Sequence, residues 1–184
     1  GDEVISTPMT CMATNEPIDT LGAKIVWADI DPSTGNIDPE SIKKKITNKT
    51  KAIVGVHWAG QPFEIEEINS IASQHGIKVI EDAAHATGAT FKGVPIGSHS
   101  DYVCFSFQAI KHLTTVDGGA LCSKSQEEDM RIKRLRWFGL DRKFKGSKWS
   151  QDIIESGFKF HMNNVNASIG IRQMDHIEYI IKCH

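Results

Sequence analysis

An α/β fold, with a mostly parallel sheet sandwiched by helices, is predicted by three observations. Short apolar runs alternate with helical patterns along the chain, most of those runs look buried on both faces, and a helix that stops at Gly76 is followed two residues later by another apolar run. Six segments read as strands: residues 4–7, 24–28, 52–56, 78–81, 103–107 and 120–123. Between the third and fourth, residues 64–75 set Ile65, Ile68, Ile71 and Ala72 on one stripe and end at Gly76, the residue that most easily takes the left-handed turn closing a helix. Upstream, Asp38 followed by Pro39 and Glu40 opens a second helix with a capping side chain and a proline in its first turn, and Ile42 and Ile46 mark its apolar side.

After the last strand, residues 126–137 read as a charged helix and residues 139–150 as a polar, glycine- and lysine-bearing mobile loop. Residues 164–181 carry Val165, Ala167, Ile169, Ile171, Met174, Ile177 and Ile180 and predict one closing helix. No internal repeat, low-complexity stretch or second domain boundary is visible.

Composition narrows the classes of function. The 184 residues are 40% hydrophobic and 24% charged, enough for an ordinary folded domain with its own core and too balanced for a disordered chain. Twenty-one basic against 23 acidic residues leave a formal charge of -2, and the densest basic run, residues 43–45, reads as the solvated side of a helix, so nucleic acid is not an expected partner. Every apolar run falls short of the roughly 18 residues needed to cross a bilayer, and no leader opens the chain, so no membrane partner and a cytoplasmic location are expected. Cys11, Cys104, Cys122 and Cys183 form no CxxC pair and no zinc spacing. Free thiols in a reducing compartment fit better, with Cys104 and Cys122 acting as small hydrophobes within strands.

In a parallel sheet, ligands collect at the carboxyl ends of the strands. Three segments bring suggestive chemistry there: Val79-Ile80-Glu81-Asp82-Ala83-Ala84-His85, then Cys104-Phe105-Ser106-Phe107-Gln108-Ala109-Ile110-Lys111, and the turn Asp117-Gly118-Gly119. Each has a plain structural reading as well. Asp82 could cap a helix, Lys111 could be a solvated end, Ser106 a tolerated small residue and His85 a hydrogen-bonded structural histidine.

Taken together, the run EDAAHATGATFKGVPIGSHSDYVCFSFQAIKHLTTVDGGAL at residues 81–121 closely resembles the core of the DegT/DnrJ/EryC1/StrS family of sugar aminotransferases, which use pyridoxal 5'-phosphate. The resemblance extends to GDEVISTPMT at residues 1–10, TKAIVGVHWAGQP at 50–62 and GFKFHMNNVNASIGIRQM at 157–174, and so covers nearly the whole chain. It implies that Lys111 bonds the cofactor's aldehyde carbon and shuttles the substrate proton, and that Asp82 partners the pyridine nitrogen. A carboxylate about 4 Å from a cation gains about 4 kcal/mol at an effective dielectric of 20, enough to keep such a ring protonated. The protonated ring is the electron sink of this chemistry. By the same resemblance Ser106 donates to the cofactor phosphate and His85 packs beside the ring or its hydroxyl edge.

The implied reaction moves an amino group, with glutamate as the expected donor, onto a nucleotide-linked keto sugar. A homodimer is implied, since sites in this family form between subunits. Some members replace the lysine with histidine and act as sugar dehydratases, so Lys111 favours transamination, and the neighbouring His112 is not that replacement. A cofactor-keeping regulator and a non-catalytic folding or assembly unit are the other readings. Three features depart from the family pattern: Cys11 stands where a ring-stacking aromatic is usual, and Lys159 and His161 stand where Asn and Arg are usual. The family's chain is about twice as long, so residues 1–184 are expected to be a partial large, cofactor-binding domain of a fold-type I enzyme. An upstream phosphate-binding segment and a downstream small domain are expected to be missing from it.

Overall fold

The computed structural model describes residues 1–183, so His184, the last residue of the expected 1–184 unit, lies outside the described residues. They form eight strands: β1 (Glu3–Ser6), β2 (Lys24–Trp27), β3 (Thr50–Val56), β4 (Lys78–Asp82), β5 (Thr90–Phe91), β6 (Val94–Pro95), β7 (Tyr102–Ser106) and β8 (Gly119–Ser123). The helices are α1 (Met12–Thr20), α2 (Pro39–Lys45), α3 (Ile65–His75), α4 (Gln126–Leu135), α5 (Asn164–Met174) and α6 (Ile177–Cys183). Six strands make one sheet in the order β2-β1-β3-β4-β7-β8, and β5 and β6 form a small separate hairpin. All pairings in the large sheet are parallel except β7 with β8, which is antiparallel. The mostly parallel α/β sheet expected from the sequence is therefore present.

The core lies where β1, β3, β4 and β7 meet α2 and α3. Ile5, Ile42, Ile53, Ile68 and Val79 are fully buried there, each contributing about 1.5–3 kcal/mol of apolar burial. Helix α3 buries the predicted stripe of Ile65, Ile68, Ile71 and Ala72 and ends at Gly76 with φ 65°, where the left-handed cap suits glycine. Asp38 caps α2 by accepting from the N–H groups of Glu40 and Ser41.

Several expectations need correction. The outer strands are not buried on both faces: β2 and β8 are the sheet edges, each with a single neighbour, and β8 leaves Leu121 exposed. The closing helix is two helices, since the polar pair Asp175–His176 turns the chain between α5 and α6 and the break lets Ile181 settle on Gly88. The charged helix ends at Leu135, two residues early, and Trp137 instead pairs by an antiparallel bridge with Lys159. Helix α1 was not anticipated, because it carries Pro17 within it and buries only Thr14 and Ile18. None of the described helices is long and apolar enough to cross a membrane.

Candidate active site

Because β1, β3, β4 and β7 run parallel, their carboxyl ends share one edge of the sheet, and the segments singled out in the sequence emerge there. Register decides which side chains share a face. Asp82 at the end of β4 lies opposite Cys104 on β7, so Asp82, Cys104 and, two residues on, Ser106 project from the same side of the sheet. The thiol of Cys104 registers this neighbourhood: burial, the nearby Asp82 charge and Cys122 push it up to about 11.

Asp82 is held rather than free. Thr14 on α1 donates to its Oδ2 at 2.6 Å, and the Ala84 N–H donates to Oδ1 at 3.0 Å. Helix α1 is fixed over this edge by Asn15, which accepts from the Ser6 hydroxyl at 2.6 Å and donates to the Thr7 carbonyl at 3.0 Å. Thr10 extends the chain of hydroxyls, 2.7 Å from Thr14.

His85 lies near enough to Lys111 and Asp82 to feel both charges. Burial holds its imidazole below the usual range, the Lys111 ammonium adds to that effect, and Asp82 opposes it. No hydroxyl, amide or carboxylate among the described residues satisfies its buried Nδ1. The expected hydrogen bond of a structural histidine is thus absent at this atom. Residues 84–88 form turns rather than a helix. The indole of Trp58 tilts over the His85 ring at 5.9 Å, and Gly60, at φ 87°, lets the backbone pass so close that a Cβ there would stand 2.9 Å from the His85 carbonyl oxygen.

Lys111 lies on the loop from β7 to β8 and is half-buried, its N–H bonded to the Gln108 carbonyl. The loop is tied at its base by Phe107 N–H to Gly118 O at 2.8 Å and Thr115 N–H to Phe107 O at 2.9 Å. Helix α5 packs against it, with Gly170 meeting the Thr115 methyl. Ser106 accepts from the Gln108 N–H at 3.3 Å, which leaves its own proton available to donate. The structure therefore brings Asp82, His85, Ser106 and Lys111 to one edge of the sheet.

Three residues depart from the family pattern. Cys11 is exposed at the amino end of α1, and His161 packs edge-on against Trp137 at 4.1 Å while Lys159 is exposed. Residues 139–150 contain a short 3-10 turn, Lys148–Ser150. Sequence reasoning missed Thr14 and Trp58. The only local signal for Thr14 is its pairing with Ile18 at helical spacing, and Trp58 lies within the run at residues 50–62 with no spacing of its own that marks it.

These residues fit pyridoxal 5'-phosphate on the structure's own terms. Asp82 has lone pairs left to accept from a ring N–H, the buried Nδ1 of His85 lacks a hydrogen-bond partner, Lys111 supplies an amine and Ser106 a hydroxyl donor.

The chain is similar to known proteins over nearly its whole length. An uncharacterized protein of Methanocaldococcus jannaschii is 46% identical over 98% of the chain and 48% of its own length. The crystal structure of AtS13 from Actinomadura melliaura superposes with a TM-score of 0.92 at 41% identity, covering 97% of this chain and 49% of that one. The sugar aminotransferase CalS13 from Micromonospora echinospora gives a TM-score of 0.93 at 34% identity, with 97% and 50% covered. The chain thus spans about half the length of the relatives it matches. Pyridoxal phosphate is the cofactor of this group, and the fold is that of its fold-type I aminotransferases. With residues 1–183 matched from end to end, the chain belongs to the DegT/DnrJ/EryC1/StrS aminotransferase family.

Proposed function

We propose that the protein of which this chain forms part is a pyridoxal-phosphate aminotransferase that moves an amino group from an amino acid such as glutamate to a nucleotide-linked keto sugar. It works as a homodimer in the cytoplasm, in the making of polysaccharides or glycosylated metabolites. The chain corresponds to part of the large, cofactor-binding domain. The observation that carries this reading is that Asp82, braced by Thr14 and the Ala84 N–H, His85 with its buried unpartnered Nδ1, and the strand end that bears Ser106 lie at one edge of the sheet.

The cofactor supplies an electron sink that stabilises negative charge at the substrate carbon. Lys111 provides the amine that holds the cofactor and then carries the proton on and off that carbon. Asp82, braced by Thr14 and the Ala84 N–H, holds a proton on the ring nitrogen. Ser106 donates to the phosphate, and His85, capped by Trp58, orients the ring edge. Four free cysteines accord with a reducing cytoplasm.

The test is to add pyridoxal 5'-phosphate to the full chain, reduce with borohydride and locate the pyridoxyl group by mass spectrometry. It is expected on Lys111 and absent from Lys111→Ala. An adduct that survives this substitution, or settles on another lysine, would overturn the assignment. Amino transfer from glutamate to a panel of nucleotide keto sugars, measured on the longer protein, tests the substrate class.

A further inference from the structure

We infer that His57 and Glu81, which the mechanism does not use, form a positioning pair that aims the Asp82 carboxylate. The inference rests on the role proposed above for Asp82. Both side chains are 0% exposed, and His57 Nε2 stands 2.8 Å from Glu81 Oε2. The Phe63 N–H donates to His57 Nδ1 at 3.3 Å, so Nε2 is the nitrogen that carries the proton and donates to Glu81. The Phe63 ring stacks on the imidazole at 4.5 Å and lies over Gly55, where a Cβ would meet it at 2.6 Å, sealing the pair from water.

The pair is joined to Asp82 through the backbone. His57 donates its N–H to the Asp82 carbonyl at 3.0 Å. One ring of bonds therefore runs from the His57 backbone to the Asp82 backbone, back one residue to the Glu81 side chain, and across to the His57 side chain. That ring fixes the dihedral angles at the end of β4. Glu81 and Asp82 are adjacent on a strand and point to opposite faces, so clamping the first from below sets the direction of the second above.

Core stability alone does not account for the arrangement. Glu81 Oε1 has no partner among the described residues, and a buried carboxyl with an orphaned oxygen holds a core less well than an apolar side chain of similar volume. What an apolar residue would lack is the directional link to His57.

The test is a double-mutant cycle on the full chain, read by equilibrium binding of pyridoxal 5'-phosphate. Glu81→Met is expected to weaken binding about tenfold, whereas Glu81→Gln, whose carbonyl still accepts from Nε2–H, costs less than about threefold. In an Asp82→Asn background Glu81→Met should change binding by less than about twofold, since no carboxylate remains to be aimed. Equal weakening in both backgrounds would mean a merely structural role and would overturn the inference. Should Glu81→Met not fold, Glu81→Asp keeps a carboxyl group, withdraws the acceptor by one methylene and enters the same cycle.

Failure of the proposed function looks different: the wild-type chain takes up no cofactor, or Asp82→Asn binds as well as wild type. The pair is then judged on the cofactor-free chain by the carboxyl-carbon NMR resonance of Asp82. Glu81→Met must move it and Glu81→Gln must not. A resonance unmoved by Glu81→Met defeats the inference on its own.

Discussion

The first hundred residues and the last sixty bury their apolar side chains to very different extents. In the former, Ile5, Ile53, Ile68 and Val79 are fully enclosed between strands and helices. In the latter, Trp149 is 97% exposed, Ile154 84% and Phe160 74%, and α4, α5 and α6 bury no residue fully. The first region is a core that closes on itself. The second presents apolar surface of the kind that marks contact faces, in keeping with the proposed dimer and with a chain spanning half the length of its relatives.

The contrast breaks or sharpens under substitution. Its largest consequence is Ile68→Ala on α3, expected to lower unfolding free energy by about 2–5 kcal/mol in a denaturant titration. A loss below about 1 kcal/mol would mean the first region is not the chain's stable core. Next, Thr14→Val removes the hydroxyl bonded to Asp82, which should cost about 1–3 kcal/mol in the same titration and weaken cofactor binding. Asp38→Ala, which strips the cap from α2, should cost about 1 kcal/mol. Phe160→Ser and Ile154→Ser should each change the stability of this chain by less than about 0.5 kcal/mol. Either one costing as much as Ile68→Ala would erase the distinction between the regions.

The smallest effect is a pH dependence. His85 titrates below its ordinary value because burial and Lys111 disfavour its charged form. The stability linked to it is complete above the unfolded value and is lost as pH falls through the lower, folded one. Melting temperatures of His85→Gln should therefore fall less steeply than wild type below about pH 6.5. Parallel curves would mean that burial and Lys111 do not hold the imidazole below its ordinary value.

Period and punctuation made the core readable in advance. The Ile65–Ile68–Ile71–Ala72 stripe with its glycine stop and the Asp38–Pro39 start are local signals, and each became the element it predicted. Asp82, His85, Ser106 and Lys111 could be named because an ordered motif carries them, and their convergence on one edge depends on parallel pairing that short apolar runs already suggested. Thr14 and the His57–Glu81 pair were not readable in this way. Their meaning comes from contacts 68 and 24 residues apart in sequence, and neither α1, with a proline inside it, nor a buried glutamate within an apolar strand shows a local pattern that points to its partner. The split between α5 and α6 was hidden for the opposite reason: apolar residues continue across Asp175–His176, and only the seat for Ile181 on Gly88 requires the turn.

The reversal of β8 has a further effect. A parallel neighbour for β7 would have required the connecting chain to travel to the far end of the sheet, whereas antiparallel pairing starts and finishes the excursion at the same edge. Residues 107–118 are thus a noose drawn tight at its neck, which keeps Lys111 at that edge. Adding residues within the noose would lengthen the tether and misplace the amine while leaving the sheet intact. Cutting the bonds at the neck would free the amine altogether.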